Sequence, residues 1–217
     1  MAVDMERNLL ITAPYHTNQI EIIRHIVKSL PINYKLYVKE NPNAASRDWH
    51  TIDEYKEILK IPNVEFIHPS VPADKIYQNA SLVIAIAGSS AFEAAAHGKP
   101  SLVFSDQIYN ILPSVFRVQN IEDLTKLIRE ALETSVNSDD VDRYLHLLEK
   151  NSFDFDILGF SATFKEQFYR GGNLLDVIIP EEKLKNFLEK QKENLEIFTL
   201  EHIKRINWYK SNDHNEN

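Results

Sequence analysis

The stretch from Leu82 to Phe104, LVIAIAGSSAFEAAAHGKPSLVF, admits few folds. It reads as strand, tight turn, helix, tight turn, strand. Leu82 to Ala87 is an unbroken apolar run containing Val83, Ile84 and Ile86, the pattern of a parallel strand buried on both faces. Gly88 ends the run; lacking a Cβ, it allows both a sharp turn and the close approach of a ligand. Ser89 and Ser90 are helix-capping residues, and Glu93 falls in the first turn they would open. A helix starting there offers N–H groups and the positive end of its dipole, which suits a phosphate. Ala91, Ala94, Ala95 and Ala96 keep the helix slim against a sheet, Gly98 stops it, and Pro100 leads into a strand from Ser101 to Phe104. The same pattern also serves an ordinary βαβ unit, and Gly-Ser-Ser is neither GxGxxG nor a P-loop.

The flanking chain repeats this alternation. Asn8 to Ala13 (NLLITA) reads as a first strand, followed by Pro14-Tyr15-His16. Thr17 to Leu30 carries Ile20, Ile23, Ile26, Val27 and Leu30 at helical spacing, and Pro31 closes it. Tyr34 to Val38 is a second strand, with Lys39-Glu40-Asn41-Pro42 at its end and a polar loop from Asn43 to His50 beyond. Thr51 to Leu59 is a helix capped by Thr51, Val64 to Ile67 a third strand ending in His68-Pro69-Ser70, and Pro72 to Asn79 a short helix. After the central unit come a loop with Tyr109, a short strand from Val115 to Val118 and a helix from Ile121 to Glu133. Strands that alternate with helices in this way predict a doubly wound parallel sheet, a Rossmann-like α/β fold. From about Ser138 the strands stop. Asp139 to Lys150 and Ala162 to Tyr169 read as helices, Asn151 to Phe160 as irregular, and Pro180 to about Tyr209 as one long amphipathic helix. The expected division is therefore 1–137 and a helical extension over 138–217.

In a sheet of this kind ligands bind outside the carboxyl ends of the strands. That rule gathers His16, Lys39, Asn41, Ser70, Gly88, Ser89 and Ser90 along one edge, with Arg47 in the adjoining loop and Glu93 one turn into the central helix. Lys39 suits a phosphate as a point charge. The Glu93 carboxylate is an acceptor for ribose hydroxyls, and it would serve equally in a capping box. Among the 8 histidines no HxxxH or HExxH occurs, and there is no cysteine, so no metal site is expected. Asp154-Phe155-Asp156 spells DxD but follows no predicted strand. No GxSxG is present to supply a nucleophile elbow.

The net charge of −8 argues against a general nucleic-acid binder. No apolar run approaches the roughly 20 residues of a membrane span, and MAVDMERN is too polar for a secretory signal, so a cytoplasmic setting is expected.

YVKENP (Tyr37 to Pro42), Arg47, IPNVEFIHP (Ile61 to Pro69) and NASLVIAIAGSSAFEAAAHGKPSLVF (Asn79 to Phe104) together resemble the capsular polysaccharide biosynthesis family, which includes β-Kdo transferases and related nucleotide-sugar glycosyltransferases. The resemblance covers about Leu30 to Val118. It implies the GT-B architecture of two Rossmann-like domains, this chain corresponding to the carboxyl-terminal, nucleotide-sugar-binding one. Lys39, Asn41, Ser89, Ser90 and Glu93 would then line the nucleotide site for a CMP- or UDP-linked sugar, with no metal or other cofactor required.

Two departures from the family pattern stand out. Asn41 replaces a histidine, so that position donates a hydrogen bond but carries no charge. Only about seven residues precede the expected first strand, where the family places an acceptor domain that supplies the catalytic base. No catalytic residue is therefore assigned. The expectations are a fragment, a split-enzyme subunit or a stand-alone protein, with the trailing helices covering their own domain, pairing in a homodimer or meeting a partner chain. The alternative readings are a non-catalytic nucleotide-binding or assembly protein and a relative of the sugar-nucleotide epimerases.

Overall fold

The computed structural model describes residues 1–2, 7–41, 50–169 and 178–212. They divide into two compact units, Met1–Leu147 and Leu148–Asn217.

In the first unit, five strands alternate with helices. β1 (Leu36–Lys39) pairs in parallel with β2 (Val64–Ile67), and β4 (Ser101–Val103) lies between β3 (Val83–Ala85) and β5 (Val115–Arg117), again in parallel. The α/β class read from the sequence is thus present, as two small sheets rather than one. The difference begins at the amino terminus. The segment around Leu10, expected as a strand, is a helix, α1 (Arg7–Thr12). Leu9 and Ala13, four residues apart, are each 1% exposed and joined by the Ala13 N–H to Leu9 carbonyl hydrogen bond, while Leu10 and Ile11 are exposed. A short apolar run satisfies either period, and here the period of four wins. Without that strand, β1 and β3 form no ladder with each other.

The helix α2 (Gln19–Ser29) serves both sheets. Ile22 and Ile26 pack into a cluster with Leu102, Phe104, Val118, Leu124 and Ile128, whereas Ile23 packs with Val38, Ile58 and Val64. Asn18 caps α2 by accepting from the Glu21 N–H. α3 (Ile52–Leu59) begins with a full capping box between Thr51 and Glu54. After α4 (Ala73–Asn79) and β3 comes α5 (Ser90–Ala96), whose Ala91, Ala94 and Ala95 are buried. Alternation along β4 shows helices on both faces of its sheet. Leu102 looks into the cluster that α2 shares with α6 (Leu124–Glu133), and the neighbouring Ser101 donates to the Ala91 carbonyl of α5 at 2.9 Å. Gly98, at φ +72°, ends α5 region by the left-handed turn its sequence position suggests.

α7 (Ser138–Asn151) begins in the first unit and runs into the second. α8 (Ile157–Phe168) starts earlier than the sequence suggests, because Asp156 caps it by accepting from the Gly159 N–H at 2.8 Å. That is the structural use of Asp156 in the DxD spelling. The long helix expected from Pro180 is broken at Gln191 into α9 (Glu181–Lys190) and α10 (Lys192–Asn212). Phe160, Phe164, Phe168 and Phe187 form a core of edge-on and tilted rings between α8 and α9. Leu188 and Phe198 are exposed, and Phe187 takes the inward position. Among the described residues no helix is long and apolar enough to cross a membrane.

Candidate functional site

The central turn lies at the carboxyl end of β3. Gly88 and Ser89 are exposed, and Ser90 and Glu93 half-buried. Ser89 occupies the N-cap position of α5, yet its side chain caps nothing. Its backbone is already helical (φ −62°, ψ −14°) rather than extended, and its hydroxyl donates to Glu93 Oε1 at 2.7 Å. The capping role expected of Ser89 is therefore replaced by a hydroxyl–carboxylate contact. The other carboxylate oxygen, Oε2, accepts from the Tyr77 hydroxyl at 2.9 Å. Burial first, and then the Glu93 carboxylate, push the Tyr77 phenol above its ordinary range, so it remains a donor. Tyr109 donates to the Gly88 carbonyl at 2.7 Å and pins the turn from the far side. Phe92 packs on Tyr109 and Tyr144, fixing the start of α5 within the unit.

Gly88 itself has an ordinary φ, and an added Cβ would meet only Ser90 Oγ at 3.5 Å. The turn does not need a glycine for its backbone; what the missing side chain leaves is open approach.

The other residues named from the sequence settle in separate surroundings. His16 follows α1 in a short 3₁₀ turn (Pro14–His16) and packs on Phe104, just past β4, with ring centroids 5.1 Å apart; burial lowers its pKa. Lys39 ends β1, its ammonium 3.4 Å from the Glu40 carbonyl, and burial lowers its pKa against the opposing pull of Glu40. The Asn41 N–H donates to Glu40 Oε1 at 2.7 Å. Ser70, beyond β2, is exposed and bonded to His68 Nδ1 at 2.7 Å. Arg47 lies outside the described residues. Of the named set, Ser89 and Glu93 are joined directly.

Beyond β1 lies a polar network that the sequence reading did not pick out. Glu40, 3% exposed, accepts from His50 Nδ1 at 2.8 Å and from the Tyr55 hydroxyl at 2.7 Å, in addition to the Asn41 N–H. Burial alone would raise the Glu40 pKa; these hydrogen bonds outweigh it and hold the carboxyl at about 2. Gln19 is buried beside them. Its Nε2 donates to the Ala2 carbonyl at 2.8 Å and lies 3.2 Å from His50 Nε2, while its Oε1 accepts from the Ala2 N–H at 2.7 Å. With a donor facing Nε2, the His50 proton belongs on Nδ1, toward Glu40. A cavity of about 360 Å³ lined by Thr17, Asn18, Gln19, His50 and Glu54 opens next to this network. The glutamate after a strand was visible in the sequence. Its side-chain partners were not, since His50 and Tyr55 lie 10 and 15 residues further along the chain.

Among the described residues no group of three or more His, Cys, Asp or Glu side chains is placed to hold a metal ion.

No family model matches the chain, and no curated protein does. Among solved structures, the glycotransferase of kitacinnamycin aligns with 65% of this chain at 17% identity and a TM-score of 0.39. This chain spans 36% of that protein's length. A superposition at that score fixes neither fold family nor activity.

Proposed function

We propose that the first unit binds a nucleotide sugar at the turn after β3, and that the chain is the donor-binding half of a glycosyltransferase acting in capsular or other surface-polysaccharide synthesis. The observation that carries this reading is the setting of Glu93. Ser89 and Tyr77 each donate to one of its carboxylate oxygens, which holds the group still beside a solvent-open turn. Each oxygen keeps acceptor capacity for a further donor, so ribose hydroxyls can join without displacing either partner. The phosphate goes to the exposed Gly88–Ser90 turn, where Ser89 leaves the first-turn amides uncapped.

In this role the chain stabilises the leaving nucleotide while an acceptor hydroxyl displaces it from the anomeric carbon. In this reading an acceptor domain or a partner chain supplies the acceptor site and the catalytic base. Lys39, Asn41 and Ser70, from the ends of β1 and β2, and His16, after α1, are further proposed contacts, with Arg47. The donor is CMP- or UDP-linked, the proposed setting is cytoplasmic, and residues 1–137 carry the site while 138–217 form an extension.

Ser89→Trp tests this reading. An indole at the exposed N-cap fills the approach to the turn without entering the core, so nucleotide binding measured by calorimetry should be lost while the circular dichroism spectrum and thermal midpoint are kept. Unchanged affinity in a folded Ser89→Trp protein would remove the turn from the site.

A further inference from the structure

α10 is 21 residues long and has no buried residue. Helices draw most of their stability from packing an apolar face, and one of this length with no buried residue keeps apolar surface open to a further element. One side of it is engaged: Phe198 and His202 pack on Phe153. The adjoining face carries Leu200, Ile203 and Ile206, which are 57%, 47% and 51% exposed. They sit at spacings of three on one face, and Thr199 and the half-buried Leu195 continue it toward the amino end. A groove at that end, lined by Leu188, Lys192, Leu195, Glu196, Thr199 and Leu200, extends the apolar surface onto α9.

The charges on α10 say which partner fits. Its first half holds Glu193, Glu196 and Glu201 against Lys192 alone; its second half holds Lys204, Arg205 and Lys210 and no carboxylate. A parallel pair of such helices would set like charges side by side. An antiparallel pair sets the acidic half of each against the basic half of the other while the apolar faces meet in the middle. This arrangement is isologous, as a two-fold axis requires. The helix is complementary to itself in one orientation.

We infer that two copies of this chain associate through an antiparallel pair of α10 helices, with Leu200, Ile203 and Ile206 at the contact and Glu193 and Glu196 facing Lys204 and Lys210 of the second copy. The polarity of the charges orients the pair, because complementary charge at a helix interface fixes register and excludes the wrong alignment.

Sedimentation equilibrium on the full chain tests it. The wild-type chain should be a dimer, and the dimer should weaken in high salt. Ile203→Asp should give a monomer whose circular dichroism is otherwise unchanged. Two charge-reversed chains separate the pairing from a folding defect. Glu193→Lys with Glu196→Lys leaves Glu201 as the one carboxylate of α10 and makes both halves net basic, and Lys204→Glu with Lys210→Glu leaves Arg205 as the one cation of the second half and makes both halves net acidic. Each should be monomeric alone, and an equimolar mixture should restore the dimer. A wild-type chain that stays monomeric up to its solubility limit would overturn the inference. So would charge-reversed chains that dimerise unmixed, or that fail to dimerise when mixed. None of these results depends on nucleotide binding, so this inference and the proposed function can fail separately.

Discussion

Glu40 keeps its charge in a place that burial makes costly, because three donors converge on it. Its folded pKa of about 2 lies below the unfolded value of 4.5, so its contribution is fully present above pH 4.5 and is lost as pH falls toward 2. The thermal midpoint, followed by circular dichroism, should therefore climb over that window. Glu40→Gln should flatten the climb, leaving a smaller residue from Glu54, whose capping-box contacts also lower its pKa. A climb of unchanged size in Glu40→Gln would mean the network contributes nothing to folding. Glu93 is the contrasting carboxylate. It too accepts from a tyrosine, yet it is only half-buried and stands beside an exposed turn, which is the setting a ligand needs.

At the scale of elements, α2 does the most joining. Ile26 faces the cluster under β4, and Ile23 faces the cluster under β1 and β2. Truncating either should cost about 3 kcal/mol, but in different places. Hydrogen exchange should rise chiefly in Leu36–Lys39 for Ile23→Ala and chiefly in Ser101–Val103 for Ile26→Ala; equal rises in both strands for either variant would contradict this division. The strands β1 to β5 and the helices α2 to α7 were legible because their apolar spacing and their end signals agreed: Thr51 with Glu54, Gly98 after Ala96, continuous apolar runs in β3 and β4. Asn8 to Ala13 was not, because six apolar-rich residues fit a strand and a helix equally well and tertiary burial of Leu9 and Ala13 decided between them. The break at Gln191 was also hidden, since neither glycine nor proline marks it. In the site, Glu93 in the first turn of α5 was readable from spacing. Tyr77 above it and the Gln19–His50–Glu40 chain were not, as they depend on which loops the fold brings together.

For the whole molecule, the two units carry separable roles under the present reading: the first holds the candidate nucleotide site, and the second ends in a helix whose charge pattern complements itself. Nucleotide binding is the claim on which the functional reading stands. The direct measurement is calorimetry of the full chain against CMP, UMP, UDP and inorganic phosphate, repeated with Glu93→Gln and Tyr77→Phe. A pyrimidine nucleotide should bind. Glu93→Gln should weaken it by about 1–2 kcal/mol through loss of charge-assisted hydrogen bonds to ribose, while leaving phosphate affinity nearly unchanged. Tyr77→Phe should act in the same direction and less strongly, since it removes only a donor that orients Glu93. If no nucleotide binds at millimolar concentration, or if binding is indifferent to both substitutions, the turn after β3 is a structural βαβ connection and not a nucleotide site.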